Sequence, residues 1–171
     1  MKKILSALCC LALAFGYTTF VSADDYPWYS NLNELLRRAN LVIVGVALDS
    51  FESYVDGIPR TTTSIEVTEV ISGNSAKAGD TIEAKLTGHA QPYPLKAGQK
   101  YVLFLNENNF LLNPVQAQYL IDEAGNIISL PGNPISIYSL DMLRSPPWWI
   151  FLPGWLQWIF RYILFGWIWM K

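Results

Sequence analysis

The sequence predicts a mainly β fold, a small unit of five or six short strands that form a closed or nearly closed barrel or a sandwich. Apolar segments of strand length follow one another closely, turn residues separate them, and a single helical pattern precedes them. About 120 residues lie between the two terminal segments, which is enough for one hydrophobic core and not for two. Val44 and Val102 are expected on central strands, with buried side chains.

A short amphipathic helix comes first. Asn31 and Glu34 have the spacing of a capping box, in which each side chain accepts from the other residue's backbone N–H. Leucine and alanine then recur at helical spacing as far as Ala39, and we expect the helix to end near Asn40. The pair Arg37-Arg38 lies in the last turn, where cations suit the helix dipole, and is expected to be solvated.

The strands follow in order. The run 41–48 is continuously apolar and too short to span a membrane, which indicates a central buried strand with a bulge or bend at Gly45. The segment 61–71 alternates apolar and polar residues, as is typical of a half-exposed strand, and Glu66 is expected to face solvent. The remaining predicted strands are 82–86, 101–105, 118–122 and 127–130, the last two joined as a hairpin through residues 123–126.

The N-terminus has the three parts of a cleavable signal peptide. Lys2 and Lys3 precede the apolar run 4–15, and residues 21–23 (Val-Ser-Ala) form a small-residue cleavage site. The apolar run is too short to cross a bilayer core of about 30 Å as a helix. We expect cleavage after Ala23 and an extracytoplasmic location, the periplasm or cell envelope, for the rest of the chain.

Both cysteines, Cys9 and Cys10, lie within this leader, and the small residue that lipoprotein cleavage requires is missing before them. The chain after the leader has no cysteine and therefore neither disulfides nor thiolate metal sites. The predicted organisation is a signal peptide at 1–23, a β-barrel domain at 24–145 and a hydrophobic tail at 146–171.

The net charge of the chain between the leader and the tail limits which partners it can bind. The segment 24–147 carries 14 acidic and 8 basic residues, a net charge of −6. This balance repels a nucleic-acid backbone, and no cluster of lysine or arginine offsets it. Nucleic acid is therefore excluded as a predicted partner.

Three segments have a pattern found together in one known group: Ala39–Val46 (ANLVIVGV), Val67–Gly73 (VTEVISG) and Leu95–Leu105 (LKAGQKYVLFL). Together they resemble small exported bacterial domains related to the tissue-inhibitor and netrin-like group of OB-type barrels. The resemblance implies a five-stranded OB-like barrel over roughly residues 31–130. Metalloprotease inhibitors of that group chelate zinc with an N-terminal cysteine, whereas this chain begins after cleavage at Asp24. The resemblance therefore implies the fold and not the inhibitor activity.

No catalytic, cofactor or metal site is predicted. His89 is the single histidine of the chain, and neither a nucleophile-elbow motif nor a metal-ligand spacing accompanies it. The carboxylate pairs Glu66 with Glu69 and Asp49 with Glu52 are not distinguished from solvated charges by any pattern. The glycines stand singly at turns, and no phosphate-binding loop is present.

The composition of the C-terminal tail, residues 146–171, predicts association with a membrane. Six of the seven tryptophans lie in its last 24 residues, which contain no acidic residue. The residues expected to associate with the membrane are Trp148, Trp149, Trp155, Trp158, Arg161, Trp167 and Trp169.

Three geometries suit this tail. A helix from Trp149 to Trp167 is about 27 Å long, which approaches the bilayer core, although Arg161 opposes spanning. If the helix lies in the interface, Gln157 and Arg161 form its narrow polar stripe. Docking in a hydrophobic protein partner is the third geometry. Spanning or deep insertion is favoured, because the polar stripe is narrower than surface helices usually show.

The sequence thus predicts a non-enzymatic extracytoplasmic binding or envelope protein, held at a membrane by its tail, with membrane lipid and an unidentified protein as partners. The alternative hypothesis is a secreted hydrolase that uses His89 with carboxylates. His89 beside a serine or an acid in a cleft would favour the hydrolase, whereas His89 isolated on a loop would favour binding.

Overall fold

The computed structural model describes residues 26–88 and 93–145, which form six strands and two short helices. In chain order these are α1 (Leu32–Arg38), β1 (Leu41–Val55), β2 (Ile58–Ser72), β3 (Thr81–Thr87), β4 (Lys100–Leu105), β5 (Gln118–Ile121), β6 (Ile127–Ser129) and α2 (Leu140–Arg144). The strands make one antiparallel sheet in the order β3-β2-β1-β4-β5-β6. The predicted mainly β class is confirmed.

The first part of β1 is the centre of the sheet. Residues 41–44 are at most 1% exposed, and β2 and β4 flank them on either side. Val44 pairs directly with Val102 of β4, and both side chains are buried, which confirms their prediction. The continuous apolar run is therefore a strand covered on both faces and both edges.

The predicted irregularity at Gly45 is a β-bulge. Val44 pairs with Glu69 and Gly45 pairs with Val67, which leaves Thr68 of β2 without a partner on β1. The Thr68 hydroxyl donates to the carbonyl of Val44 at 3.1 Å. The extra residue bends β2 while the two strands stay paired.

The β1–β2 hairpin is longer than the sequence predicts. Each strand has 15 residues, and the two meet at the turn formed by residues 56–57. The pairing continues through another bulge, in which Leu48 and Asp49 stand opposite one residue of β2. The predicted strands at 41–48 and 61–71 are therefore too short.

The six-stranded sheet is not closed into the predicted barrel, since its outer strands β3 and β6 are not paired with each other in the described residues. Residues between β4 and β5 nevertheless link β3 to β4. The N–H of Leu111 donates to the carbonyl of Lys85, and the N–H of Lys85 donates to the carbonyl of Asn109, each at 2.9 Å. Leu111 also forms an antiparallel bridge with Leu105 at the end of β4. Backbone bonds outside the main ladder thus hold this part of the sheet together.

Asn31 caps α1 as predicted, because its side chain accepts from the N–H of Glu34 at 3.0 Å. The second bond of the predicted capping box, in which the Glu34 side chain accepts from the N–H of Asn31, is replaced by bonds to another residue. The carboxylate of Glu34 accepts from the N–H and the hydroxyl of Ser30, both at 2.9 Å, one residue earlier than a capping box requires. These bonds lower the pKa of Glu34. Leu32 and Leu35 are buried and fix the helix on the core.

The segment before α1 is held by buried amides from the connection between β4 and β5. The side chain of Gln116 accepts from the N–H of Tyr29 at 2.8 Å and donates to the carbonyl of Tyr29 at 2.7 Å. Asn113 donates to the carbonyl of Pro27 at 3.1 Å. Because both amides are buried, their bonds to the backbone also satisfy groups that water does not reach.

The helix α2 lies against β2, far from the turn at residues 56–57. The guanidinium of Arg144 donates to both carboxylate oxygens of Glu69, at 2.7 and 2.8 Å, and to Asp141 at 2.8 Å. The bonds from Arg144 hold the pKa of Glu69 below its usual value of 4.5. The described chain therefore ends, at Ser145, beside an ion pair that fixes α2 to the sheet.

Replacing Gly45 by alanine is expected to lower the free energy of unfolding by about 1 to 3 kcal/mol. A Cβ at this position would collide with the side chain of Ile65 and lie 2.9 Å from the carbonyl oxygen of Glu66, a backbone atom that cannot rotate away. Denaturant unfolding followed by circular dichroism measures the change. The control Glu66→Ala, at an exposed position, should change stability by less than about 0.5 kcal/mol. Equal stability of Gly45→Ala and the parent would contradict the close approach of β1 and β2.

The ion pair of Glu69 with Arg144 is expected to make part of the stability depend on acid pH. Because the pKa of Glu69 is lower in the folded protein than in the unfolded chain, its contribution is complete above about pH 5 and is lost as the pH falls through the lowered pKa. Glu69→Gln should therefore flatten the dependence of the free energy of unfolding on pH in this acid range. Arg144→Gln should flatten it equally, and the double variant should add nothing further. Parallel pH profiles for Glu69→Gln and the parent would show that the pair does not act this way.

Candidate functional site

In the β1–β2 hairpin, strand β1 continues beyond its pairing with β4, whereas β2 stays paired with β3 as far as Arg60. β4 pairs with residues 41–46 of β1, and the backbone of Ala47 bonds Gly98 at 2.7 Å and Gln99 at 2.9 Å. Past Ala47, the pairing of β1 within the described residues is with β2 alone. We call residues 48–60 the hairpin end.

A two-residue turn closes the hairpin end. Asp56 and Gly57 have φ angles of 54° and 78°, the positive values that a type I′ turn requires at both central positions. Val55 and Ile58 pair directly on either side of it. Glycine adopts such a φ without steric cost, which is why Asp-Gly favours this turn. The turn sets the register, and side chains then alternate between the two faces of the hairpin.

Most of the exposed large apolar side chains of the described residues lie on the hairpin end. Of eight such side chains in this part of the chain, five are here, with exposed fractions from 40% to 71%. Single apolar residues are common at protein surfaces, but a concentration of them on one segment makes that segment a candidate interaction site. The five are Leu48, Phe51, Tyr54, Val55 and Ile58.

These side chains are divided between two faces. Phe51 and Val55 are four residues apart on one strand, and Ile58 is the cross-strand partner of Val55, so these three share a face. Tyr54 projects from the other face, where its cross-strand partner is Pro59. One face is therefore mainly apolar, and the other carries a phenol ring.

Acidic residues also lie on the hairpin end. Asp49, Glu52 and Asp56 are all exposed, and the nearest basic residue along the hairpin is Arg60. The guanidinium of Arg60 lies 5.0 Å from the centre of the Phe110 ring, in a cation–π contact at the base of the hairpin end. The hairpin end thus combines exposed apolar side chains with exposed acidic ones.

Phe110 also lines a cleft of about 390 Å³. The hydroxyl of Tyr26 donates to the carbonyl of Thr87 at 2.7 Å and accepts from the N–H of Thr87 at 2.8 Å. Burial raises the pKa of Tyr29. The cleft therefore offers apolar contact and neutral hydrogen-bonding groups. Its lining consists of Tyr26, Pro27, Tyr29, Thr87, Asn106, Phe110, Leu111 and Leu112.

The carboxylates Glu66, Glu69, Asp49 and Glu52 have separate surroundings. Glu69 is bound by Arg144, whereas Glu66 is exposed, which confirms its predicted orientation toward solvent. Asp49 and Glu52 belong to the hairpin end. Within residues 26–88 and 93–145, no group of three or more acidic, histidine or cysteine side chains is arranged to hold a metal ion.

Several predicted sites lie outside the described residues. These are the signal peptide, His89 of the hydrolase alternative, and the whole tail. In the part of the chain that the structure describes, no helix is long and apolar enough to cross a membrane. The predicted membrane-associating residues outside it are Trp148, Trp149, Trp155, Trp158, Arg161, Trp167 and Trp169.

The hairpin end is not among the sites predicted from sequence. A signal for it is nevertheless present, because Asp56 and Gly57 stand between the apolar residues Val55 and Ile58. An Asp-Gly pair flanked by strand-forming residues is a strong local indication of a two-residue hairpin. This signal predicts the turn, but not that the side chains beside it remain uncovered.

Comparison of the chain with known family models, curated proteins and solved structures finds no match.

Proposed function

We propose that this protein is a non-enzymatic extracytoplasmic binding protein that recognises a protein partner through the hairpin end and is held at a membrane by residues 146–171. The observation that carries the proposal is the group of five exposed apolar side chains on a hairpin whose strand β1 continues past the end of its pairing with β4. Burying a large apolar side chain contributes about 1.5 to 3 kcal/mol relative to leaving it in water. A partner that covers this surface therefore gains binding free energy from each contact.

The charge of the hairpin end favours a partner with a basic border. Asp49, Glu52 and Asp56 are exposed beside the apolar side chains. Complementary charges at the edge of an interface speed association and disfavour wrong partners. We therefore expect an apolar patch bordered by lysine or arginine on the partner.

Geometry favours a protein over lipid as the occupant of the hairpin end. Ile58 and Glu69 lie on the same strand, roughly 36 Å apart at about 3.3 Å per residue. Because Arg144 binds Glu69, the chain enters the tail from the opposite end of this strand. If β2 stands along the membrane normal when the tail is in the membrane, the hairpin end lies away from the lipid.

The composition of the tail supports the membrane tether, and the leader at 1–23 supports export. Each large apolar side chain of the tail gains about 1.5 to 3 kcal/mol on leaving water, whereas Arg161 costs about 2.5 to 3.5 kcal/mol at a helix centre. Six tryptophans alone therefore outweigh one arginine. Arginine also reduces its own cost when its side chain reaches the headgroups.

The full-length protein is expected to stay with membranes through a carbonate wash, whereas a chain that ends at Ser145 should be released. The reason is the apolar area of the tail, which carbonate does not displace from lipid. A tail of equal length with serine at its six tryptophan positions is the matched control and should be released at least in part. Release of the full-length chain as readily as the truncated one would contradict the tether.

A photoreactive amino acid placed at Tyr54 is expected to cross-link the full-length protein on membranes to a discrete protein partner. The control is the same substitution at Tyr138, a tyrosine that is 81% exposed but lies near α2. The adduct at position 54 should disappear when Phe51→Ser and Ile58→Ser are added, because these changes remove the apolar contact. Identical adducts at both positions, or adducts to lipid alone, would count against the hairpin end as a protein-binding surface.

A further inference from the structure

The hairpin end has an open strand edge as well as exposed side chains. β4 and the backbone of residues 98–99 cover the outer side of β1 as far as Ala47. Residues 50–55 remain paired with β2 on their inner side. We call the outer side of residues 50–55 the free edge, since none of the described residues forms a backbone pair with it.

The pairing of Tyr54 shows which backbone groups point to the free edge. Its cross-strand partner is Pro59, whose carbonyl accepts from the N–H of Gly88 at 2.9 Å, on the side away from β1. Directly opposed residues of an antiparallel pair either bond each other or both point outward. The N–H and C=O of Tyr54 therefore point outward, and by alternation so do those of Glu52 and Ser50. The free edge presents three N–H and three C=O groups, the unit that an added strand bonds.

The side chains beside the free edge specify what an added strand would meet. Glu52 and Tyr54 lie on one face, and Phe51 and Val55 lie on the other. In an added strand, alternate side chains stand next to these two faces. Lysine or arginine suits the positions near Glu52, and apolar residues suit the positions near Phe51 and Val55.

Charge also argues against a second copy of this chain as the added strand. Asp49, Glu52 and Asp56 all lie on or beside the free edge, and Arg60 is engaged with Phe110 at the base of the hairpin. Pairing two such edges would bring the acidic groups of both copies together, and like charges on adjacent strands are destabilising. An edge of this kind accepts a basic strand in preference to its own.

We propose that the free edge of β1 binds an extended segment of the partner protein by strand addition, and that this segment alternates apolar residues with lysine or arginine. This inference rests on the proposed function, since it gives the manner in which the hairpin end holds its partner. Main-chain hydrogen bonds to Ser50, Glu52 and Tyr54 fix the segment. Contacts with Phe51 and Val55 and the charge of Glu52 select its side chains.

The test uses full-length protein in detergent micelles and a fluorescent seven-residue peptide that alternates valine and lysine. Fluorescence anisotropy should detect binding, and a peptide with glutamate in place of lysine should bind at least tenfold more weakly. A valine–lysine peptide methylated on alternate backbone nitrogens should also lose at least tenfold, because it lacks the N–H groups that bond the edge. This comparison leaves the protein unchanged and does not depend on the folding of a variant.

Two variants at one position separate main-chain bonding from charge. Glu52→Pro removes an outward N–H while leaving the bonds of Phe51 and Ser53 to β2, a placement of proline that edge strands tolerate. It should weaken binding of the valine–lysine peptide at least tenfold. Glu52→Ala keeps the N–H and should weaken binding only a few-fold, with a smaller dependence on salt. Circular dichroism of both variants checks that the sheet is retained.

The outcomes distinguish the two proposals. Equal binding of the methylated and unmodified peptides, or no binding of either while the cross-link at Tyr54 persists, would overturn strand addition and leave the partner surface in place. A dimer of this chain that Glu52→Pro abolishes would overturn it too, by assigning the free edge to a second copy. Loss of the Tyr54 cross-link would instead contradict the proposed function itself.

Discussion

Strand β1 has 15 residues, whereas its neighbour β4 has six. Most features of the molecule depend on this difference in length. Where β4 is present, residues 41–46 lie between two strands and form the centre of the core. Where β4 has ended, the same strand keeps its pairing with β2 and exposes an edge and both faces to water. One strand thus supplies both the most buried and the most accessible part of the sheet.

An open edge beside apolar side chains is a template for unwanted pairing, and the acidic residues of the hairpin end counter it. Asp49, Glu52 and Asp56 place three negative charges along a few residues, and like charges repel an identical edge. The bulge at residues 48–49 also interrupts the register just before this edge, and bulges increase the local twist of a strand. In the proposed complex the same charges attract a basic segment, so protection against self-association and choice of partner have one physical origin.

Sequence patterns predict this structure well where contacts are local. Asn31 caps α1 by accepting from the N–H of Glu34, three residues along the chain. Asp122 accepts from the N–H of Asn126 at 2.7 Å within the predicted β5–β6 hairpin. The bond between Leu111 and Lys85 joins distant parts of the chain, and no periodicity reveals it, so the extent of barrel closure is not predictable from composition. The hairpin end is not predicted as a site, for a different reason. A strand with both faces in water lacks the alternation that burial of one face imposes, and acidic and small residues interrupt its apolar ones. The tail residues stay predictions, because they lie outside the described chain.

The strand β2 connects the two ends of the molecule to which separate roles are proposed. Ile58 belongs to the hairpin end, and Glu69 holds α2, from which the chain continues into the tail. Between them β2 is paired with β1 on one side and, over residues 60–66, with β3 on the other. Substitutions farther apart than about 10 Å without shared partners act independently, and the two ends are separated by several times that distance along the strand. Within the described residues, the two ends therefore lie too far apart for a change at one end to disturb the other directly. A variant that loses one of the two proposed properties, membrane retention or partner recognition, while keeping the other assigns that property to its own end of β2.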